Sequence, residues 1–416
     1  MNTLLDFVSQ HMSDDTARLI LDRDKWTGID MDLAVACIES RRKIRGKVQE
    51  WYDNPDLIFP VRLSAEQCSG SATAYYKSAL AQRIAGEKEW KIADLTGGLG
   101  VDSWFFSKKA SSVLYNEMQE KLCEAAGYNF KVLGATNIQT SRTEATRSTI
   151  GSLLEPFRPD IVYIDPARRG EGGRKVFLIE DCTPDVLTLK EDIFRYSRHI
   201  LIKLSPMADI SMACERLGST CREVHVAGHG GECKELLIWM DREWNDGYTV
   251  TAAELPADYP VNEAATFTFN PAEEKTCAPI PAGLAGLIGN KPENLYLFEP
   301  GKAMMKAGSF NLISRCFNAG KLGASTHYYL TDRVDSNMAR LGKLFIIKHI
   351  HSLDKRSIKN VGKEFPKADV TARNLPMTSE TLQKKLGCSS GNGIHVFGLR
   401  SDSEGPLLIV TERITV

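Results

Sequence analysis

Asp94-Leu95-Thr96-Gly97-Gly98-Leu99-Gly100 follows a short apolar run, KIA, and leads into the helical pattern VDSWFFSKK. Glycines are needed where a backbone turns sharply and approaches a ligand closely, because no side chain then stands in the way. About twenty residues on, Glu117 ends the next apolar run, where a carboxylate can accept both hydroxyls of a ribose. Turn, helix and acidic strand end in this order point to an adenosine-containing cofactor. A tight structural turn beside a surface glutamate would be spelled the same way. A nicotinamide dinucleotide fits less well, since Ser103 stands where the third glycine of that fingerprint belongs. A second constellation, Asp165-Pro166-Ala167-Arg168-Arg169-Gly170, closes the run DIVYI. There the Asp165 carboxylate can accept one hydrogen of an amine and the Pro166 carbonyl the other. The planar guanidinium of Arg168 can stack on a base.

The elements that must position these residues are legible in the alternation of apolar runs and helical stretches between Ala93 and Asp241. KIADL, SVLYNE, DIVYID and HILIKLS read as buried parallel strands, each ending in a polar residue. ATNIQTS is a weaker strand between the second and third of these. CREVHVA and KELLIWM, separated by GHGGEC, read as a closing antiparallel pair. The pattern predicts an α/β doubly wound sheet with ligands at the carboxyl ends of its strands. Before it, residues 1–62 read as helical, with a helix start at Met12-Ser13-Asp14-Asp15 and one long helix from about Asp30 to Tyr52. After it, residues 244–340 are rich in Pro, Gly and Ala, with one firm strand, NLYLFEP. Residues 341–416 then read as a small α+β module containing KLFIIKHIH, SETLQKKLG, GIHVFGL and LLIVTER.

The glycine turn, opened by an acidic residue, resembles the first motif of class I methyltransferases, and Asp165-Pro166 resembles the motif of those that act on exocyclic amines. The chain as a whole is similar to bacterial class I methyltransferases with ferredoxin-like and THUMP-like domains. That likeness rests on EQCSGSATAYYKSAL, DLTGGLGVD, YIDPARRG, YLFEPGKAMMKAGSF and ADVTARNLP. The resemblance implies a methyltransferase domain over residues 63–243, with an antiparallel last strand, a ferredoxin-like domain over 244–340 and a THUMP-like domain over 341–416. It implies S-adenosylmethionine as cofactor, held by Asp94, Thr96, Gly97, Gly98, Gly100 and Glu117. Glu144 stands about where a residue after the third strand reaches the adenine amine. Gln67 and Ser71 belong to the segment that lids the cofactor in such enzymes, although a plain helix cap also accounts for them. Thr96 stands where glycine is more usual, Ala167 where a second proline is, and Arg168 where an aromatic residue is. The DPAR sequence also resembles RNA 5-methyluridine methyltransferases, but their chemistry needs a cysteine after the fifth strand. Here that strand ends Lys203-Leu204-Ser205-Pro206, without a thiol.

Bulk properties narrow the partner. The formal net charge is −1 over 416 residues, so any nucleic-acid surface must be a local patch. Between Lys343 and Arg373 the lysines and arginines outnumber the acids, which makes Lys355, Arg356, Lys359 and Arg373 the candidate RNA contacts. THUMP domains are associated with RNA, so the resemblance implies a tRNA or rRNA substrate. A second basic run, Arg41 to Lys47, is the other candidate patch. The ten cysteines are scattered without a CxxC pair, and the start of the chain lacks the pattern of a signal peptide, so a reducing cytoplasm is expected and no metal site is. No apolar stretch is long enough to span a bilayer. A small-molecule or protein methyltransferase, and a non-catalytic RNA-binding protein with the same fold, are the alternatives.

Overall fold

Asp15 and Asp30 stand where helices begin, and each accepts the orphan backbone N–H of the first turn, from Ala17 and Leu33 respectively. The helix from Asp30 is shorter than its pattern suggests: it runs Met31–Ile44, and only a single turn, Gln49–Tyr52, follows. Gly46 sits between them at φ 68°, a conformation that ends an α-helix. Residues 2–168 and 178–414 are described by a computed structural model. Arg169 and Gly170 lie outside the described residues, as does the side chain of Arg168. The chain divides into two units. One comprises Met1–Val224, Lys234–Gly247 and Tyr259–Val261; the other His225–Cys233, Tyr248–Asp258 and Asn262–Val416.

In the first unit the apolar runs are strands: β1 (Lys91–Asp94), β2 (Ser112–Asn116), β3 (Ile138–Ser141), β4 (Ile161–Ile164) and β7 (His199–Leu204). A two-residue ladder, β5 (Ala167–Arg168) with β6 (Cys182–Thr183), lies between β4 and β7 in sequence. β8 (Cys221–His229) and β9 (Glu232–Asp241) follow, with the stretch His225–Cys233 that links them counted in the second unit. The sheet order β3-β2-β1-β4-β7 is parallel throughout, and β9 joins β7 antiparallel. Helices connect the parallel strands, so both faces are covered, and all four residues of β4 are buried. From β1 the chain moves to β2 on one side and later returns to β4 on the other. This reversal opens a crevice at the strands' carboxyl ends.

The second unit holds the antiparallel pair β10 (Thr249–Leu255) and β11 (Ala265–Phe269). It also holds β12 (Tyr296–Pro300), β13 (Gly320–Lys321), β14 (Tyr329–Thr331), β15 (Gly342–Ser352), β16 (Asp369–Arg373), β17 (Ile394–Ser401) and β18 (Gly405–Arg413). These seven form a sheet in the order β13-β14-β12-β15-β18-β17-β16. Leu297, Phe345, Ile347, Phe397 and Ile409 share one core cluster. Val396, Leu408 and Val410 form another with Val361, Leu382 and Leu386 of the helices Lys355–Glu364 and Ser379–Leu386. Those two helices meet at Gly362, where a Cβ would lie 1.8 Å from the Leu386 carbonyl oxygen. Among the described residues, no helix is long and apolar enough to cross a membrane.

Candidate functional site

The glycine turn is held by β2. The Gly97 N–H donates to the Asn116 carbonyl at 2.8 Å, and the Tyr115 hydroxyl donates to the Gly98 carbonyl at 2.6 Å. The Tyr115 ring passes so close that a Cβ at Gly97 would stand 2.1 Å from it. Gly100 has φ 93° and faces Phe130. Asn116, fully enclosed, donates to the Leu95 and Thr143 carbonyls and so fixes the ends of three crossings at once. Glu117 follows, with one carboxylate oxygen accepting the Gly98 N–H at 3.0 Å and the other the Gln119 N–H at 2.8 Å. Each oxygen keeps a second lone pair for a hydroxyl.

Turn and strand ends border a cleft of about 730 Å³ within the first unit. Thr96, Gly97, Gly98, Gly100, Glu117, Glu144, Gln67, Asp165 and Pro166 all line it. Asp94 and Ser71 do not. Asp94 lies beneath the turn, accepting from the Ser103 hydroxyl at 2.7 Å and the Thr96 N–H at 3.1 Å. Burial pushes its carboxyl up to about 7, against the pull of the Ser103 hydroxyl. Ser71 opens the helix Ser71–Ala85, and its hydroxyl donates to Glu50 at 2.6 Å, which directs it away from a cofactor role. Ser69 and Cys68 take its place in the cleft wall.

Three further features have no sequence signal of their own. Leu63 and Met118 are 60% and 57% exposed at the cleft, large apolar surfaces that a flat purine would cover. The Thr96 hydroxyl accepts the Asp165 N–H at 2.7 Å, so the residue that departs from glycine ties the turn to the Asp165 loop. Lys203 of β7 forms an ion pair with the Asp165 carboxylate. Burial opposes charge on this lysine, but Asp165, Glu235 and Asp102 outweigh it and raise its pKa.

Behind the wall lies a buried polar network. The fully enclosed Lys77 ammonium donates to Glu235 at 2.9 Å and to Ser69 at 2.8 Å, with Asp102 at 3.3 Å. The Ser69 and Tyr163 hydroxyls both donate to Asp102 at 2.9 Å. Removing one partner from such a buried cluster costs about 3–5 kcal/mol, because it strands the charges that remain.

The basic candidates separate cleanly. Arg41 is buried and donates to the carbonyls of Tyr52, Pro55 and Leu57, and Arg42 to those of Met12 and Asp14. Lys43 pairs with Glu66, and Lys47 donates to the Glu66 carbonyl. This run is engaged in holding the N-terminal helices. In the second unit, Lys355 and Lys359 line a groove of about 580 Å³ between two helices, together with Lys363 and Lys385. Among the described residues none of these four lysines has an ion pair. Arg356 and Arg373 do not line the groove.

A crystal structure of a "putative methyltransferase" from Porphyromonas gingivalis W83 is 27% identical and superposes with a TM-score of 0.84, over 99% of this chain and 98% of that one. The first unit has the class I methyltransferase fold. A ferredoxin-like family model matches residues 296–338, and a THUMP-domain-like model matches residues 342–413. The chain thus shares a methyltransferase architecture with ferredoxin-like and THUMP-like domains. Slighter likenesses link the chain to a SAM-dependent methyltransferase from Agrobacterium tumefaciens and an rRNA methylase from Streptococcus thermophilus. The first is 16% identical with a TM-score of 0.31 over 41% of this chain and 61% of that one. The second is 12% identical with a TM-score of 0.30 over 40% and 93%. No curated protein matched the chain.

Proposed function

We propose that the protein transfers a methyl group from S-adenosylmethionine to an exocyclic nitrogen of an RNA base, in tRNA or rRNA. The observation that carries this reading is the meeting of the Asp165 carboxylate, the glycine turn and Glu117 in one cleft. The cleft's residues fit the cofactor. Gly97, Gly98 and Gly100 leave the backbone bare, Glu117 offers lone pairs to a ribose, Leu63 and Met118 offer apolar cover, and Gln67 and Glu144 offer polar rims. When bound, S-adenosylmethionine supplies a methyl group already activated for attack, so the protein's work is positioning and proton management. An amine conjugated to a ring is a poor nucleophile. Asp165 and the Pro166 carbonyl accept hydrogen bonds from its two hydrogens, turning the nitrogen lone pair toward the methyl group, and the Asp165 carboxylate receives the proton that leaves. Arg168 is assigned to stack the base; its side chain lies outside the described residues.

The RNA assignment is supported by the THUMP-like match and the four-lysine groove. Lys355 and Lys359 are assigned to phosphates, with Lys363 and Lys385 added. Among the described residues none of the ten cysteines is joined in a disulfide, which suits a reducing cytoplasm. The test is to add the protein and tritium-methyl S-adenosylmethionine to extracts of cells lacking it, and to count label in RNA, protein and metabolite fractions. Label in RNA is expected. Label confined to protein or metabolites would replace the substrate class, and no label despite cofactor binding would make the chain a non-catalytic binder.

A further inference from the structure

We propose that Lys203 is a positioning residue for methyl transfer: its ammonium holds one oxygen of Asp165 so that the other is presented to the amine. The inference rests on the reading of the cleft as an amine-methylating site. It starts from strand register. β4 and β7 are parallel neighbours with Ile164 opposite Ile202, so the next residue of each strand, Asp165 and Lys203, emerges side by side at the crevice. The Asp165 backbone is anchored by the Thr96 hydroxyl, but its side chain is 35% exposed, and nothing in the backbone fixes its rotamer. Lys203 supplies the missing constraint. Its Nζ engages Oδ2, while Oδ1 has no hydrogen-bond partner among the described residues.

The lysine is suited to this role by what surrounds it. Its side chain is only 15% exposed and springs from a central strand, so it moves little. Glu235 and Asp102 stand behind it and help hold its charge. Stability alone does not call for such a pair, since a well-packed apolar residue serves a half-buried strand end as well. A fixed carboxylate at the mouth of the cleft does call for it. A nucleophile must be held within a narrow range of approach, and a misplacement of about 1 Å costs on the order of 100-fold in rate.

Two measurements test the proposal. In lysine-selective nitrogen-15 NMR, Lys203 should give a sheltered ammonium signal, assigned by its loss in Lys203→Arg, and Asp165→Asn should shift or remove it. A signal indifferent to Asp165→Asn overturns the pairing whatever the substrate is. In kinetics on total RNA from a strain lacking the protein, Lys203→Met should bind S-adenosylmethionine within about threefold of wild type. Its kcat should fall on the order of 100-fold at nearly constant KM, with Lys203→Arg recovering part of the loss. Lys203→Gln gives the same reading should Lys203→Met fail to fold. Near-normal kcat in the folded variant overturns the positioning role. Wild-type protein that labels no RNA, yet shows the Asp165-dependent NMR signal, would sink the RNA reading and leave the pairing standing.

Discussion

At the scale of single residues, the proposed reading of the cleft separates groups assigned to touch a ligand from groups that hold those in place. Asp165 is of the first kind. Asp165→Ala should bind S-adenosylmethionine like wild type but lose transfer by roughly 100-fold or more, seen as a fall in kcat rather than a rise in KM. Turnover close to wild type would remove it from the chemistry. Asp94 is of the second kind, and its environment makes a pH prediction. Its folded pKa, raised by burial to about 7 from 3.8, means the folded protein keeps a proton that the unfolded chain gives up between those values. Its contribution to stability is therefore present at acid pH and lost as pH rises through about 7. His199, pushed down by burial to about 4 from 6.5, works in the opposite sense across much of the same window. Asp94→Asn removes the first trend and leaves the second. The stability of the variant relative to wild type should thus climb between about pH 5 and about pH 7.5, by urea denaturation at each pH. A difference that stays flat with pH would refute the buried-carboxyl account. The sequence marks Asp94, Glu117 and Asp165 because each ends a strand. Thr96 and Lys203 are invisible as partners of Asp165 because their meeting depends on which strands are neighbours.

At the scale of elements, legibility follows length and periodicity. The parallel strands of the first unit are readable because each is a short apolar run closed by a polar residue and followed by a helical pattern. Between residues 244 and 340 only β12 is readable. β10 and β11 lie in the Pro- and Gly-rich stretch, and β13 and β14 have only two or three residues, too few to show a period. The basic run from Arg41 reads as a surface candidate because sequence shows charge but not the carbonyls that Arg41 and Arg42 reach. The glycine turn is readable, but the reason for Gly97 is not. The Tyr115 ring fills the space beside it, and with its hydroxyl bonded to Gly98 and its body enclosed it has no room to retreat. Gly97→Ala should therefore displace the turn, lower the melting temperature and weaken S-adenosylmethionine binding by about tenfold or more. Calorimetric affinity equal to wild type would show that the turn is more compliant than this packing allows.

At the scale of the whole molecule, a net charge of −1 conceals an uneven distribution. Lys355, Lys359 and Lys363 recur every four residues along one helix, so they rise in steps of about 6 Å along one face, and Lys385 joins them from the neighbouring helix. Like charges gathered without ion-pair partners among the described residues repel one another, and a polyanion relieves that repulsion while releasing its own condensed ions. If RNA docks here, replacing Lys355, Lys359 and Lys363 with glutamate should weaken binding at every RNA sequence, since phosphate contacts position without reading bases. The slope of log affinity against log salt should flatten by about 0.7–0.9 for each phosphate no longer neutralised, hence by roughly two to three in the triple variant. These lysines are exposed, so the fold should survive with little change in stability, and cofactor affinity, a property of the other unit, should not move. Arg356 and Arg373 give the contrast. Both are candidates from charge alone and both lie off the groove, so their replacement should leave the slope near that of wild type. Binding of a labelled RNA at several salt concentrations decides between the two sets. An unchanged slope in the triple-lysine variant, with a changed one in the arginine variants, would move the docking surface from the groove to the surroundings of Arg356 or Arg373.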